Sequence, residues 1–414
     1  MKVFFVASEC VPFAKAGGLG DVVGALPKAL ASLGHDVRVL IPKYGFIDAR
    51  FMSRHAAPLG VPMGNGEAWC AVHETQLPGS DVPVYFLEHD LLFGGMKLYG
   101  DEGSLAEMAR FVLLSRAALQ LCRYLDFIPD VMHLHDWPSA WVAPLLHAEP
   151  AGSDLEDVAT VLTLHNVAHQ PRFPGEGLAM LGLSSAYYQP MGLEDFNHLN
   201  PFKGGVAYAT MLVAVSPTYA KEIRTPEGGA GLHMLFDYRG ADLLGIVNGI
   251  DEEVWNPASD PHLPRSYGVD SIEGKAFNKE VLQREVGLEV RADRPLFGIV
   301  ARMTHQKGVD LLVQAIPELM AGAGQLVVLG SGDPSLEMAL TYAGREFPGR
   351  VSVRIGYSES LAHRIEAGCD FFLMPSRFEP CGLNQMYSQR YGTIPIVRAV
   401  GGLKDTVRGL AEGL

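Results

Sequence analysis

The sequence lacks an excess of positive charge, long hydrophobic runs and closely spaced cysteines. Its 33 Lys and Arg residues stand against 47 Asp and Glu residues, so the formal net charge is −14, which disfavours binding to nucleic acid or to anionic lipid. No stretch reaches the roughly 18 uncharged apolar residues that a transmembrane helix needs. We therefore expect neither a nucleic-acid partner nor a membrane partner, and any anionic ligand requires a local cluster of basic side chains.

The sequence also lacks patterns that are typical of metal sites, of disulfide-bonded domains and of secreted proteins. The five cysteines are scattered without a CxxC pair, which indicates reduced thiols in the cytoplasm and no zinc site. The N-terminus has no signal-peptide pattern, because its apolar stretch ends before Glu9. No D-x-D triplet and no G-x-S-x-G motif occurs. We expect no metal ion and no cofactor.

What is present is an alternation of short β-rich segments with longer helical patterns, which is typical of parallel α/β sheets. In the first half we predict helices at 20–33 and 104–125 and strands at 2–8, 36–41, 82–87, 130–135, 160–165 and 211–216. In the second half we predict helices starting near residues 308, 335, 358 and 382 and strands at 296–301, 325–329, 351–355, 371–374 and 394–397. The weaker patterns at 50–80 and 170–200 predict insertions or loops.

The domain organisation follows from length and local composition. A chain of 414 residues suggests two to three domains, and we place a boundary near Gly245, ahead of a segment rich in Pro, Asp and Ser. The predicted architecture is α/β, with two doubly wound, Rossmann-like domains at 1–245 and 246–414. We expect them to face each other across a cleft, lined by the C-terminal ends of both sets of strands.

A glycine-rich loop, KAGGLGD at 15–21, follows the first predicted strand and opens a helix. Glycines allow the backbone to approach a phosphate, and a helix N-terminus offers N–H groups and positive potential, to which Lys15 adds a cation. No GK[ST] closes the loop, so it is not a Walker A motif. With glycines at 18, 20 and 24 it is also a loose dinucleotide fingerprint, and a tight structural turn is the alternative.

Polar side chains end two further strands of the first half. HLHDW at 133–137 places Asp136 beside an aromatic ring, which suits sugar hydroxyls, and TLHN at 163–166 places His165 and Asn166 at the next strand end. Ligands of doubly wound sheets bind at this edge. Because the first two histidines alternate with apolar residues, we expect one of them to point into the core. A purely structural role for His165 is the alternative.

Two strand-to-helix loops of the second half carry charged side chains. RMTHQKG at 302–308 holds Arg302 and Lys307, five residues apart, and two such cations can bind a diphosphate. PSRFEPCGL at 375–383 holds Glu379 near a helix entry, and a glycine turn follows at 401–402. Solvated surface charge is the alternative for the cations, and an interaction with the helix dipole is the alternative for Glu379.

Together these motifs make the sequence similar to bacterial glycogen synthases and plant-type starch synthases, the retaining glucosyltransferases of glycosyltransferase family 5, with the two-domain GT-B fold. The resemblance covers nearly the whole chain and rests on long, ordered segments: SECVPFAKAGGLGDVVGALPKAL, HLHDWPSAWVAPLL, LTLHNVAHQ, ARMTHQKGVDLL and PSRFEPCGLNQMYSQRYGTIPIVRAVGGLKDTV. Many other GT-B transferases carry a second Glu eight residues after the position of Glu379, where this chain has Tyr387, as in the glycogen synthase group.

The resemblance implies transfer of glucose from ADP-glucose to the non-reducing end of an α-1,4-glucan, with retention of configuration. It implies an acceptor side at 1–245 and a donor side at 246–414, and catalytic roles for Glu379, His165, Asp136 and Lys15. The implied ligands of ADP-glucose are Lys15, Gly18, Asp21, Asn166, Asn248, Arg302, Lys307, Tyr357, Cys381, Gly382 and Leu383. Of these, the three cations would neutralise the diphosphate and Tyr357 would stack near adenine.

The sequence departs from the family pattern in three ways. Asn384 stands where the family usually has Thr, and His169 and Pro171 replace a Tyr and a Gly. The sequence ends at Leu414, whereas family members continue with helices that return to the N-terminal domain. We therefore expect a truncated, marginally stable second domain and low activity. Leu403, Val407, Leu410 and Leu414 are spaced to form the apolar face of one short closing helix, which Gly409 and Gly413 weaken.

Two other classes of function are alternatives. An NAD-dependent oxidoreductase would use the glycine-rich loop, but the second strand ends in LIPK at 40–43, without the acidic residue that binds a ribose. A non-catalytic glucan-binding protein would keep the motifs without turning over a donor.

Overall fold

The structure, a computed structural model, describes residues 1–409. The chain forms two compact units, Met1–Gly249 and Ile250–Leu414, and each is organised around its own sheet, which is mostly parallel in the first unit and parallel in the second. Among the helices of residues 1–409, none combines the length and the hydropathy of a membrane span.

The first unit contains thirteen strands. They are β1 (Lys2–Val6), β2 (Asp36–Pro42), β3 (Ser53–Arg54), β4 (Leu59–Met63), β5 (Gly66–Gln76), β6 (Pro83–Glu88), β7 (Val131–His135), β8 (Ala159–Leu164), β9 (Phe173–Pro174), β10 (Glu194–Asp195), β11 (His198–Leu199), β12 (Met211–Ala214) and β13 (Leu243–Gly245). The main sheet has the order β13-β12-β8-β7-β1-β2-β6-β5-β3, with β4 also paired to β5, and β9 to β11 form a small separate sheet.

Three of the nine α-helices of the first unit start at a side-chain cap. Ser104, Asn200 and Ser216 each accept a backbone N–H with their side chains at helix N-termini, and proline follows directly after the last two. The helices are α1 (Gly18–Ser32), α2 (Asp90–Phe93), α3 (Leu105–Tyr124), α4 (Asp136–Ser139), α5 (Val142–His147), α6 (Leu178–Leu181), α7 (Pro201–Tyr208), α8 (Pro217–Glu222) and α9 (His233–Tyr238).

The order of the parallel strands reverses once within the first unit. From β1 the chain moves outward through β2 to β6, and it then returns to the other side of β1 and continues through β7, β8, β12 and β13. Loops leave the carboxyl ends of β1 and β7 in opposite directions at this reversal, which opens a crevice where ligands of doubly wound sheets bind. The glycine-rich loop follows β1, and Asp136 follows β7.

The second unit repeats this plan on a smaller scale. Its strands β14 (Leu296–Val300), β15 (Gln325–Gly330), β16 (Val351–Ile355), β17 (Phe371–Met374) and β18 (Ile394–Val397) form a parallel sheet of order β16-β15-β14-β17-β18. Its helices are α10 (Glu273–Val286), α11 (Val309–Ala321), α12 (Pro334–Glu346), α13 (Glu359–Gly368), α14 (Asn384–Arg390) and α15 (Gly401–Thr406). The order reverses between β14 and β17, so the loops that carry Lys307 and Glu379 leave at this point.

The predicted strands of both parallel sheets are confirmed, with ends that differ by a few residues. The two regions expected as insertions or loops contain strands that were not predicted: β3, β4 and β5 extend the main sheet with antiparallel pairing, and β9 to β11 form the small sheet. Helix α10 was not predicted. The closing helix α15 contains Leu403 but ends at Thr406, before Val407, which has an extended backbone. Leu410 and Leu414 lie outside the described residues.

Candidate active site

The glycine-rich loop of the first unit is shaped by a buried carboxylate, Glu9, which the sequence did not single out. Glu9 is 3% exposed, and its Oε2 accepts the backbone N–H groups of Ala16 at 2.6 Å and of Gly17 at 3.0 Å. The hydroxyl of Tyr99 donates to Oε1 at 2.6 Å. Two N–H groups of the loop are therefore already bound within the protein, and Glu9 holds the loop in one conformation.

Two glycines at the start of α1 are needed for close packing of the backbone, whether or not a ligand binds to the loop. A Cβ at Gly24 would lie 2.8 Å from the carbonyl oxygen of Val11, and one at Gly20 would lie 3.2 Å from that of Ala14. Gly18 begins α1, and the ammonium of Lys15 contacts the carboxylate of Asp21 at 2.8 Å in the first turn. The fingerprint spacing therefore has a structural cause, and Lys15 and Asp21, both predicted site residues, are in contact.

Asp136, His165 and Asn166 are brought together after β7 and β8. The Oδ1 of Asp136 accepts the backbone N–H of His165 at 2.7 Å and that of Asn166 at 3.3 Å. Asp136 has a φ of +52°, in the left-handed region that Asp and Asn tolerate best among residues with a Cβ. Burial raises the pKa of Asp136 to about 8, although the two N–H groups lower it. The carboxyl group is thus a hydrogen-bond acceptor fixed at the strand end.

The raised pKa of Asp136 predicts a pH-dependent stability difference. Between pH of about 4 and 8 the unfolded chain loses this proton while the folded chain retains it, so rising pH destabilises the fold by up to about 1.4 kcal/mol per pH unit. Asp136→Asn keeps an acceptor and tolerates the same φ but does not titrate. In urea unfolding, we expect the free energy of unfolding of the variant, relative to the parent, to rise as pH increases from about 5 to 8.

Asp81→Asn, at an exposed position, is the matched control and should track the parent over the same pH range. If the curves of Asp136→Asn and the parent also run parallel, Asp136 is ionised in the folded protein throughout this range and its raised pKa is wrong.

In the second unit, Glu379 is held by Lys307 and Ser376. The ammonium of Lys307 lies 2.7 Å and 2.9 Å from the two carboxylate oxygens, and the hydroxyl of Ser376 donates to Oε2 at 2.9 Å. Glu379 is 5% exposed and lies before α14, which begins at Asn384. It therefore neutralises a cation from the neighbouring loop, so the alternative of a simple charge in the first helical turn does not describe it.

Three loops of the second unit converge on this ion pair. A Cβ at Gly308 would lie 2.1 Å from the carbonyl oxygen of Pro375, and one at Gly401 would lie 1.9 Å from that of Glu379. Both glycines have positive φ. The N–H of Gly402 donates to the carbonyl oxygen of Glu379 at 3.1 Å. Glycine is required at these positions because any side chain would push the loops apart.

The remaining predicted residues of the second unit are spread around these loops. Arg302 is exposed, and no ion-pair partner contacts it within residues 1–409. Tyr357 follows the edge strand β16, is 62% exposed and donates its hydroxyl to the Glu359 carboxylate. Cys381 is buried, and Gly382 has a φ of +74°.

Leu383 and Asn384 connect the turn to the body of the second unit. Leu383 packs against an aromatic cluster of buried residues that includes Trp255. The side-chain amide of Asn384 donates to the carbonyl oxygen of Val300 at 2.8 Å, which ties the start of α14 to the end of β14. This departure from the family pattern is thus accommodated by a hydrogen bond. Asn248 lies half-buried at the end of the first unit.

Two side chains that shape the site, Glu9 and Ser376, were not predicted from the sequence. A carboxylate directly after a buried strand and ahead of a glycine-rich loop was an available signal for Glu9, whereas nothing in the sequence distinguishes Ser376. Within residues 1–409, no three His, Cys, Asp or Glu side chains are grouped closely enough to hold a metal ion.

Two doubly wound units, with charged loops at the reversal of strand order in each, are the architecture of glycosyltransferases of the GT-B class. Family models match both parts of the chain: the starch synthase catalytic domain at residues 2–238 and glycosyl transferases group 1 at residues 294–414. The chain belongs to the glycogen synthase and starch synthase family of glucosyltransferases, so the oxidoreductase alternative is wrong.

Individual relatives agree with this assignment. Glycogen synthase 1 of Geobacter sulfurreducens is 48% identical over 418 residues, covering 100% of this chain and 83% of the relative. Glycogen synthase of Anaeromyxobacter dehalogenans is 50% identical over 423 residues, covering 100% of this chain and 87% of the relative. The catalytic domain of starch synthase IV from Arabidopsis thaliana, solved with ADP and acarbose, superposes with a TM-score of 0.92 at 35% identity, covering 99% of this chain and 85% of that one.

Proposed function

We propose that the protein transfers glucose from ADP-glucose to the non-reducing end of an α-1,4-glucan, with retention of configuration. The proposal rests mainly on the buried carboxylate of Glu379, which binds Lys307 and Ser376 where the strand order of the second unit reverses. A fixed carboxylate beside a fixed cation suits a reaction in which a sugar becomes positively charged while a diphosphate leaves with negative charge. The relative solved with ADP and acarbose supports this choice of donor and acceptor.

The proposed roles divide by charge. Lys15, Arg302 and Lys307 neutralise the diphosphate, and the backbone near Gly18 and Gly382 approaches it. The transferred sugar and the acceptor are held by polar side chains: Glu379, His165, Asp136, Asn166 and Asn248. Asp21 orients Lys15 through their contact at 2.8 Å. Tyr357 stacks near adenine, and Cys381 and Leu383 shape the turn around the donor.

Retention fits an attack on the same face as the departing diphosphate. A double displacement would require a carboxylate free to form a covalent bond to the sugar. Glu379 is instead engaged by Lys307 and Ser376, and the Oδ1 of Asp136 by two backbone N–H groups. We therefore assign proton acceptance from the acceptor hydroxyl to the leaving phosphate, with Glu379 stabilising positive charge on the sugar.

We propose that the first unit provides the acceptor side and the second unit the donor side of the reaction. The predicted boundary near Gly245 lies a few residues before the division at Gly249. All five cysteines are buried thiols, which suits a reducing compartment and supports the cytoplasm as the place of action.

The decisive experiment compares nucleotide release from two donors with glycogen present. We expect ADP release from ADP-glucose and much slower UDP release from UDP-glucose, with the product digestible by an enzyme specific for α-1,4 linkages. Preference for UDP-glucose would overturn the donor assignment. Absence of glucosyl transfer from either donor would favour the non-catalytic alternative.

Arg302 provides a test of diphosphate binding. Lys15 and Lys307 each contact an acidic side chain, whereas Arg302 is exposed without an ion-pair partner within residues 1–409. A charge-assisted contact to phosphate is worth roughly 1.5–3 kcal/mol, so Arg302→Ala should weaken ADP binding by about that amount in titration calorimetry. Arg345→Ala, at an exposed position of α12, is the matched control, and equal ADP affinities of both variants would contradict the role of Arg302.

A further inference from the structure

A second histidine lies directly behind the proposed sugar ligand His165. The side chain of His135 is fully enclosed, and its Nδ1 lies 2.9 Å from the Nε2 of His165. Its ring stacks between neighbours, with ring centroids 5.4 Å from Phe5 and 4.4 Å from His133. Its other nitrogen, Nε2, is buried and has no hydrogen-bond partner within residues 1–409.

Burial favours the neutral form of all three histidines of this group at neutral pH. Burial lowers the pKa of His133 to about 4 and that of His165 to about 3, and it lowers the pKa of His135 well below its usual value. A hydrogen bond between two neutral imidazoles needs one nitrogen with a proton and one without. The contact between His135 and His165 therefore has two possible proton arrangements.

The two proton arrangements differ in the group that they leave at the buried Nε2 of His135 without a hydrogen-bond partner. If His165 donates from Nε2, His135 must carry its proton on Nε2, where a buried N–H has no acceptor. If His135 donates from Nδ1, its Nε2 is only an unused lone pair. Buried N–H groups without an acceptor are rarer and cost more than acceptors without a donor, so the second arrangement is favoured.

We propose that His135 is a positioning residue that holds His165 in the tautomer protonated on Nδ1. His165 then presents an N–H donor at the carboxyl end of β8, where Asp136 accepts the backbone N–H of His165. This donor suits a hydroxyl oxygen of the transferred sugar. The proposal deepens the proposed function, because it assigns the direction of one hydrogen bond in that site.

The tautomer can be read directly in the folded protein. Long-range ¹⁵N–¹H spectra of protein with ¹⁵N-labelled histidine distinguish the two neutral forms, and the His165→Gln spectrum identifies the signals of His165 among the 14 histidines. We expect the Nδ1-protonated form in the parent protein. The Nε2-protonated form would overturn the proposal.

Two substitutions of His135 separate positioning from packing. His135→Phe removes the donor, so His165 should shift to the Nε2-protonated form and kcat should fall about 10-fold, the loss typical of one hydrogen bond made in the transition state. His135→Asn keeps a donor near the Nδ1 position and should preserve both the tautomer and most of the turnover. His133→Phe, a control on the same strand whose ring contacts Thr163, should keep the tautomer of His165.

An unchanged tautomer in His135→Phe, or a changed tautomer with unchanged kcat, would overturn the positioning role. If His135→Phe does not fold, the parent and His135→Asn spectra decide. Failure of the proposed function is a separate result, since it appears as a parent enzyme that does not transfer glucose, whatever the tautomer of His165.

Discussion

Glu379→Gln should lower kcat for glucosyl transfer by about 10²–10³-fold, while the second unit remains folded. The substitution keeps the shape of the side chain and a hydrogen-bond acceptor for Ser376, but it removes the negative charge beside Lys307. Loss of one preorganised electrostatic contact to a transition state typically costs this much. The buried position of Glu379, 5% exposed, makes its charge less screened than that of a surface carboxylate.

The matched control is Glu318→Gln on α11, where the side chain is exposed and turnover should equal that of the parent. Steady-state kinetics with ADP-glucose and glycogen give kcat, and circular dichroism with a thermal melt reports the fold. Turnover of Glu379→Gln within about twofold of the parent would contradict a role in the transition state. A loss of activity that parallels a loss of fold would assign Glu379 to structure, as a partner of Lys307.

The central parallel strands could be predicted because both of their faces are buried, whereas the parallel edge strand β13, with one buried residue of three, was not predicted. Strands buried on both faces are nearly continuous apolar runs, as in β1, where four of five residues are buried. In β5, by contrast, exposed and buried residues mix along eleven positions, and the region of β3 to β5 was predicted only as an insertion or loop. Short edge strands carry little hydrophobic pattern, so their pairing depends on the sheet beside them.

The candidate site could be predicted as a set of loops but not as a set of contacts. Lys307 and Glu379 were each identified, yet their ion pair joins positions 72 residues apart. It depends on the strand order that places β14 beside β17. The partners of Glu9 depend likewise on the path of a loop, since its carboxylate faces backbone groups that carry no sequence signal. Motifs therefore predict which side chains lie at the strand ends, but they do not predict which groups hold those side chains in place.

Tyr387 shows how a motif position can have a role in packing. The family resemblance draws attention to it as the place of a second Glu, but here its ring is 5% exposed and stacks on Trp255, with centroids 3.7 Å apart and an angle of 9°. On the other face of Trp255 lies His363, at 3.8 Å and the same angle. The residue at this position thus anchors the start of the second unit to α14.

A buried ion pair completes this anchor. The Nδ1 of His363 lies 2.8 Å from a carboxylate oxygen of Asp260, and the hydroxyl of Tyr391 donates to the same oxygen at 2.7 Å. Burial alone would lower the pKa of His363, but the hydrogen bonds that its ring donates to the carboxylates of Asp260 and Glu359 raise it above its usual value. Trp255 therefore stacks on a ring that favours its charged form, next to the segment that leads into the second unit.

Trp255→Ala should destabilise the second unit by about 3–5 kcal/mol, the usual cost of truncating a buried tryptophan. The substitution removes the stacking of Trp255 on both Tyr387 and His363, and the resulting cavity would expose the Asp260–His363 pair to water. Hydrogen exchange read by mass spectrometry can locate the effect: amides of α13 and α14 should lose protection, while those of β1 and β2 should not change. Trp69→Ala is the matched control, because Trp69 is 61% exposed on β5 and its removal should cost less than about 1 kcal/mol. Equal protection of α13 and α14 in the two variants would show that Trp255 does not anchor this segment, and the stacking of Tyr387 would then have no part in stabilising the unit.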